Sequence, residues 1–588
     1  YDRPFVASYV SHVRHSERMY AADEQEENGP RKGSSRLDRG DLVPLAIAIV
    51  LGAILFAVAR QRSLEPIIDT GRDLYIPGAI LDGKKLYRDL IYYYPPLVPY
   101  LLTLLTAVIG RSLAAYSFIG AATAAVAGFT LYGAAKLVAG RLAAFVALLF
   151  FAGLNFTCAI GYGSNFLFPY AHEATFGVVF LLLTIFFLLR YTFEAASRAN
   201  GSAVVLFSLL ASWCKIELAA IVAVAIIAAV VVHRFPRRYA FAYAGAMLLC
   251  VSAASLFFAD APPTRHWLRG NIFPSTFLGG PTFYGFYARV FGLPRWKELL
   301  LDSAYGALVL CAFAGCLAVI ERQRRPAVVA VALGALAVLA GIGGDLHFFQ
   351  AWTLLQLGLL IPALREPRRP LAILLFFSAC SSARIFLKLA PAWYGFVLTI
   401  PTYLLIVYVL FAYLPERRLY SRRLSSLWLA FAIVVVGRGV WTQVNEYKRK
   451  SAPVVTRRGT FYEEPSRASV LVPLIRAIET SGARSLVAMP EGLALNYLTA
   501  VDTPLSYTTF TPIEAAHPVI EQRVLDELSA RRPELVAVIS RHVNEFGYRG
   551  FGDDYDLRVA AFIRRQYTPI GRWQNGANWA VLLRRNPG

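Results

Sequence analysis

Between residues 65 and 102 the chain reads EPIIDTGRDLYIPGAILDGKKLYRDLIYYYPPLVPYLL, a dense mixture of carboxylates, cations and aromatics between apolar segments. Asp69 and Asp73 are the residues whose type and spacing could do chemistry. Four apart, they project from one face if the segment is helical, and two like charges there repel unless something uses them. A carboxylate at a membrane surface can take a proton from an attacking hydroxyl as general base, or hold a divalent cation such as Mg or Mn. The bland alternative is a solvated loop with helix-capping aspartates. The tyrosines and the Pro95-Pro96 pair then open a short helix, YYYPPLVPYLLTLLTAVIG, too short to span and suited to lying in the interface with its rings at headgroup level. Together these form a shelf on which an amphiphilic substrate could rest.

The elements that must position these acids are membrane helices. The chain has 588 residues, 57% of them hydrophobic, with mean hydropathy +0.49, too apolar for an ordinary soluble protein. Runs 42–59, 303–320 and 327–344 carry no charge and are long enough to cross a hydrocarbon core, which takes roughly 17–25 helical residues. They lack the alternation of barrel strands, and backbone in lipid must satisfy itself within a helix or a closed barrel. The fold class is therefore a polytopic α-helical membrane protein. The six cysteines lie in apolar segments and show neither a disulfide framework nor metal-ligand spacing; His266 and His347 likewise have no ligand spacing. The formal net charge of +21 is spread in short clusters between apolar runs, such as Arg234–Arg238, Arg322–Arg325 and Arg417–Arg423. That distribution reads as topogenic, not as a nucleic-acid surface.

With one basic cluster at every second loop, the spans fall near 42–60, 113–135, 142–160, 172–190, 202–214, 218–232, 240–258, 302–320, 327–344, 347–364, 371–388, 394–414 and 424–441. That is about thirteen helices by the length rule, with the N-terminus cytoplasmic and the C-terminus outside. Residues 202–232 would run about 46 Å as one helix, too long for a simple span. Parity requires two short helices meeting at CKIE, with Lys215 and Glu217 at a turn that lines a protein cavity. Residues 1–41 read as a disordered cytoplasmic tail. Residues 42–441 form the transmembrane module, with outer loops 61–112 and 259–301. Residues 442–588 read as an outer α/β domain: an amphipathic helix in SVLVPLIRAIETSG, strands in RSLVAMP and ELVAVIS, helices in VIEQRVLDELSARRP and DDYDLRVAAFIRRQY, and a terminal hairpin turning at Asn575-Gly576.

The stretch DTGRDLYIPGAILDGKKLYRDLIYYYPPLVPYL resembles the first outer loop of GT-C superfamily glycosyltransferases, the group that includes protein O-mannosyltransferases and the aminoarabinose transferases of lipid A. In those enzymes a catalytic Asp follows the first span, then a Gly, then a Pro-Pro pair opening an interfacial helix; Asp69, Gly83 and Pro95-Pro96 keep that order. VIGRSLAAYSF is similar to the entry of the second span, and RGTFYEE, PEGLALNYL and FGDDYD to the tail domain. The wording is nearest to bacterial polyprenyl-phosphate-dependent members. Departures are visible too. Tyr94 stands where aminoarabinose-type enzymes carry a Lys before Pro-Pro, and Thr70 stands where the mannosyltransferases have the Glu of an Asp-Glu pair. Glu173 in FPYAHEATFG, beside His172, is the nearest match to a second acid found in some relatives.

The resemblance implies an inverting transfer of a sugar from a polyprenyl-phosphate donor to a hydroxyl of a glycan, lipid or protein acceptor. The reaction would take place at the outer face of a bacterial inner membrane, with the C-terminal domain periplasmic. Asp69 would be the base. The leaving phosphate calls for fixed positive charge, for which the candidates are Lys215, Arg265, Arg269, Arg384 and Lys388. Arg384 and Lys388 are spaced to share one helical face, although snorkelling cations at a helix end are the plain alternative. Arg265 and Arg269 lie on an outer loop, where cations are unusual. Asp73, Tyr94 and Glu173 complete the expected substrate-binding set. A transporter or flippase is the competing reading, yet 202–232 is the lone interrupted segment, without the paired partner expected of inverted repeats. A scaffold that keeps the fold without the activity is a third.

Overall fold

The computed structural model describes residues 35–68, 70–159, 164–262, 267–268, 281–323, 325–343, 347–389 and 395–587. The protein is a multi-pass helical chain. Among the described residues, seven helices are long and apolar enough to cross a membrane: Arg39–Ala59, Leu113–Ala139, His172–Glu194, Arg237–Phe257, Leu293–Arg322, Phe396–Glu416 and Ser426–Arg449. The other expected spans fall on shorter helices, among them Arg141–Leu154, Ile216–Val232 and Trp352–Arg365. The helix Arg141–Leu154 packs on Leu113–Ala139 and crosses Ser426–Arg449. A Cβ on Gly153 would lie 2.4 Å from Val436, and one on Gly439 would lie 2.4 Å from Leu154. Small residues allow this close approach, which fastens helices in lipid.

Segment 202–232 divides as its charges predict, into Arg198–Ser212 and Ile216–Val232, with Lys215 at the break. The interfacial segment forms Leu97–Ile109, burying Val98, Pro99 and Leu102 while exposing Leu104 and Val108.

Two expected limits move. Residues 35–41 do not belong to a loose tail: Asp41 is buried and accepts from Tyr132 Oη at 2.7 Å and Lys136 Nζ at 2.5 Å, and Arg141 pairs with Asp38 at 2.7 Å. Burying that carboxylate is tolerable only because cations and a hydroxyl surround it. The expected boundary at 442 falls inside the helix Ser426–Arg449, which continues for two turns because VWTQVNEYKR stays helix-competent after its apolar run ends.

The C-terminal domain builds a four-stranded sheet in the order Leu486–Met489, Leu535–Ile539, Asn578–Arg585, Tyr567–Asn575. The first pair is parallel and the others antiparallel. Parallel strands need a crossover, which includes Pro518–Arg531, and Asn575 pairs with Asn578 across a tight turn at Gly576. A hairpin, Ala452–Thr456 with Gly459–Glu463, joins this domain to the last long helix. Main-chain hydrogen bonds then seat the domain on the loop after the first helix: Tyr462 N donates to Gln61 O at 2.7 Å, Leu113 N to Arg458 O at 2.9 Å and Ile91 N to Ser506 O at 2.9 Å.

Candidate active site

The acidic stretch folds into the helix Thr70–Leu81. Asp69, immediately before it, lies outside the described residues, as do Arg265, His266 and Arg269; the side chain of His347 is likewise outside them. The start of the helix is held from two sides. Thr70 Oγ1 donates to the Pro169 carbonyl at 3.2 Å. On the other side the C-terminal helix Leu493–Thr499 comes so near that a Cβ on Gly71 would stand 2.3 Å from Ala494 N. Only glycine admits that approach without displacing backbone.

Four ionisable side chains meet here with almost no solvent exposure: Arg72 at 5%, Asp73 at 4%, His172 at 1% and Glu173 at 1%. Charges this deep must be paired. Asp73 Oδ2 accepts from the His172 backbone N–H at 2.7 Å and lies 3.0 Å from His172 Nδ1, while Oδ1 accepts from Arg72 Nε at 3.2 Å. His172 is the first residue of His172–Leu189, so Asp73 satisfies one of the donors that a helix N-terminus leaves open. Burial raises the Asp73 carboxyl, but the Arg72 charge and the His172 contacts outweigh it and hold it below the ordinary carboxylate range. Asp73 thus has both oxygens engaged by Arg72 and His172 of this chain.

Arg72 reaches on toward Glu173 Oε2 at 3.8 Å, and Tyr92 donates to Glu173 Oε1. Its guanidinium also lies 5.1 Å from the Tyr94 ring centroid and 5.8 Å from that of Tyr92. Burial, then the charges of Glu173 and Asp73, raises the Tyr92 hydroxyl far above the usual phenol range, so it acts as a donor.

The Tyr94 ring carries a second cation. Lys215 Nζ, from the break at Trp213–Lys215, stands 5.3 Å from its centroid and 3.3 Å from Glu217 Oε1. Arg384 Nη1 is 3.6 Å from the same Glu217 oxygen, and its guanidinium is 5.4 Å from the Tyr287 ring. Lys215, Arg384, Tyr170, Thr175 and Pro169 line one narrow pocket beside the anchor of Thr70. The site is therefore continuous from Asp73 through Arg72, Tyr94, Lys215 and Glu217 to Arg384. Where the sequence has Tyr94 in place of a lysine, Lys215 brings an ammonium to that ring from a distant part of the chain.

Lys388 departs from expectation. The helix beginning at Pro370 ends at Ser382, Arg384 sits in the 3-10 turn Ala383–Ile385, and Lys388 lies past it with its stem beside Gly292. No α-helix carries both cations, so the shared-face argument fails. The α-helix gives way to a 3-10 turn at Ala383, so the i,i+4 spacing no longer sets the two side chains on one face. Conversely, Arg72, Tyr92 and Tyr287 belong to the site without having been singled out, while Glu217, expected with Lys215 at the cavity-lining turn, is found there. Arg72 was legible as the cation between two aspartates, whereas Tyr287 carried no signal.

Among the described residues no three His, Cys, Asp or Glu side chains gather as a metal group. Asp73 and Glu173 both face Arg72, a fixed cation where a divalent ion held between them would have to sit. That pair therefore already has a cationic partner, and Asp69, the expected metal ligand, lies outside the described residues.

No family model and no curated protein matches the sequence. Among solved structures, the chain is similar to ArnT from Cupriavidus metallidurans bound to undecaprenyl phosphate, at 13% identity and TM-score 0.46, covering 93% of this chain and 99% of that one. It is also similar to the archaeal oligosaccharyltransferase AglB from Archaeoglobus fulgidus in complex with an inhibitory peptide and a dolichol-phosphate. That match has 13% identity and TM-score 0.49, over 92% of this chain and 74% of that one. At such identities and scores the chemistry must be argued from this chain's own residues.

Proposed function

We propose that the protein is an inverting glycosyltransferase that moves a sugar from a polyprenyl-phosphate donor to a hydroxyl of a glycan, lipid or protein acceptor at the outer face of the membrane. The observation that carries this reading is the gathering of Arg72, Lys215 and Arg384 around Tyr94 and Glu217, beside the start of the helix Thr70–Leu81, which Asp69 precedes in the sequence. Buried cations held on aromatic faces at the edge of a membrane module suit a lipid-borne phosphate better than a soluble anion.

In this mechanism Asp69 accepts the acceptor hydroxyl proton while that oxygen attacks the anomeric carbon. The bond from carbon to phosphate oxygen breaks on the opposite face, and the lipid phosphate leaves with the electron pair. Lys215 and Arg384 stabilise the charge that develops on it. Glu217 neutralises the two cations until the donor phosphate displaces it, and Asp73 and His172 fix the start of the helix that follows the base. Positioned proton transfer contributes about 10²–10⁴-fold to rate. Asp69→Asn is therefore expected to lose at least 10²-fold in sugar transfer while the protein stays folded in detergent and still binds polyprenyl phosphate. A transporter would keep its flux in that variant, and unchanged sugar transfer by Asp69→Asn would remove the proposed base.

A further inference from the structure

The helix Leu42–Ala59 leaves a groove between itself, Leu113–Ala139 and Arg141–Leu154. Its volume is about 380 Å³ and every lining residue is apolar, among them Ala48, Gly52, Ala125, Phe56 and Phe118. Those two rings, 5.7 Å apart, also border a second cavity at the membrane edge. The second cavity is mixed: Arg60, Arg458, Ser112 and Ser117 line it among apolar side chains such as Leu113 and Phe461, and no carboxylate does. An apolar slot that shares Phe56 and Phe118 with a carboxylate-free mouth holding two arginines has the chemistry of a lipid with an anionic head.

The dimensions select the kind of lipid. From Leu45 to Phe56 the groove follows twelve helical residues, a rise of about 16 Å at 1.5 Å per step. That is roughly one leaflet of a hydrocarbon core about 30 Å thick, the reach of an acyl chain and much less than a polyprenyl chain requires. The mouth is also separate from the Lys215 pocket. Phe168 lines the mouth while the next residues, Pro169 and Tyr170, line the Lys215 pocket, so one segment of chain divides the two.

We infer that this groove binds one acyl chain of an anionic phospholipid, with its phosphate on Arg60 and Arg458. The site is independent of the donor pocket. It joins the first membrane helix to residues 458–461 of the C-terminal hairpin, all of which line the mouth, so the lipid ties the two parts of the chain together.

The test uses the full-length protein reconstituted in vesicles of equal phosphatidylglycerol and phosphatidylcholine, extracted in mild detergent and weighed by native mass spectrometry. One phosphatidylglycerol should stay bound in preference to phosphatidylcholine. A surface arginine contributes about 1 kcal/mol toward an anionic headgroup, so Arg60→Gln and Arg458→Gln should each weaken retention about fivefold. Gly52→Leu should abolish it, because a Cβ there points into the groove with only Phe156 nearby, at 4.0 Å. Binding of polyprenyl phosphate should persist in Gly52→Leu, which also reports that the variant is folded. Equal retention of both phospholipids, unaltered retention in Gly52→Leu, or displacement of the retained lipid by polyprenyl phosphate would each overturn the assignment.

Discussion

Lys215→Gln is the substitution that most directly probes the cation cluster. In the resting protein Lys215 Nζ lies 3.3 Å from Glu217 Oε1, and Arg384 Nη1 lies 3.6 Å from that same atom. In the proposed mechanism an incoming phosphate would compete with Glu217 for both cations and gain a hydrogen bond to a charged donor from each. Such bonds contribute about 1.5–3 kcal/mol apiece, so losing one should weaken polyprenyl phosphate binding about 10- to 150-fold. Stability should change much less. Breaking a buried ion pair costs about 3–5 kcal/mol when it strands a charge, but Glu217 keeps Arg384 after the substitution, and its side chain is 39% exposed. Glu217→Gln removes the competitor and should tighten binding. The assay is equilibrium binding of polyprenyl phosphate to the detergent-purified protein, with melting temperature recorded in parallel and Arg423→Gln, on an exposed turn, as control. If Lys215→Gln binds as well as the control, or loses binding only in step with unfolding, the phosphate-grip argument is wrong.

Three further outcomes are expected. Gly71→Val forces a side chain onto backbone at Ala494; overpacking costs about 1–3 kcal/mol, and limited proteolysis should show the C-terminal domain cleaved faster. Asp73→Ala leaves the buried Arg72 without its nearest carboxylate and the His172 N–H without its acceptor, a loss of about 3–5 kcal/mol visible as a lower melting temperature. Because the folded Asp73 carboxyl is depressed, its contribution is present above the ordinary carboxylate pKa and disappears as pH falls through the depressed value; protection by wild-type Asp73 over Asp73→Ala should therefore shrink in acid. Asp556 behaves in the opposite sense. Burial, and then Glu521, raises it to about 8, and neither of its carboxyl oxygens has a hydrogen-bond partner. The unfolded chain ionises it near pH 4, so stability declines as pH rises from there to about 8. Asp556→Asn should raise the melting temperature at pH 7 and make no difference near pH 4; equal melting temperatures at both pH values would contradict the buried carboxyl.

What could be read along the chain was whatever depends on local composition. Uncharged apolar runs dictate helices because lipid cannot satisfy a backbone. Lys215 and Glu217 dictate the break in 202–232, because two charges inside a continuous apolar helix would have no partners. Alternating helix and strand patterns marked the C-terminal domain, since each buries one face on a shared sheet, and the clustered acids from Asp69 onward marked where chemistry could lie. Folding decided which charges meet. Tyr94, Lys215, Tyr287 and Arg384 come from four separate segments, and no local rule relates their positions. Nor does residue type distinguish Asp73 as a carboxylate that positions a helix from one that meets substrate; the His172 N–H and Arg72 beside it do that. The spacing of Arg384 and Lys388 misled because a periodic argument holds only as far as the helix runs, and that helix ends at Ser382. Pairwise electrostatics falls off over a few ångströms, so a site built from charges is defined by three-dimensional neighbours, while the helices that carry them are defined by the residues alongside in the chain.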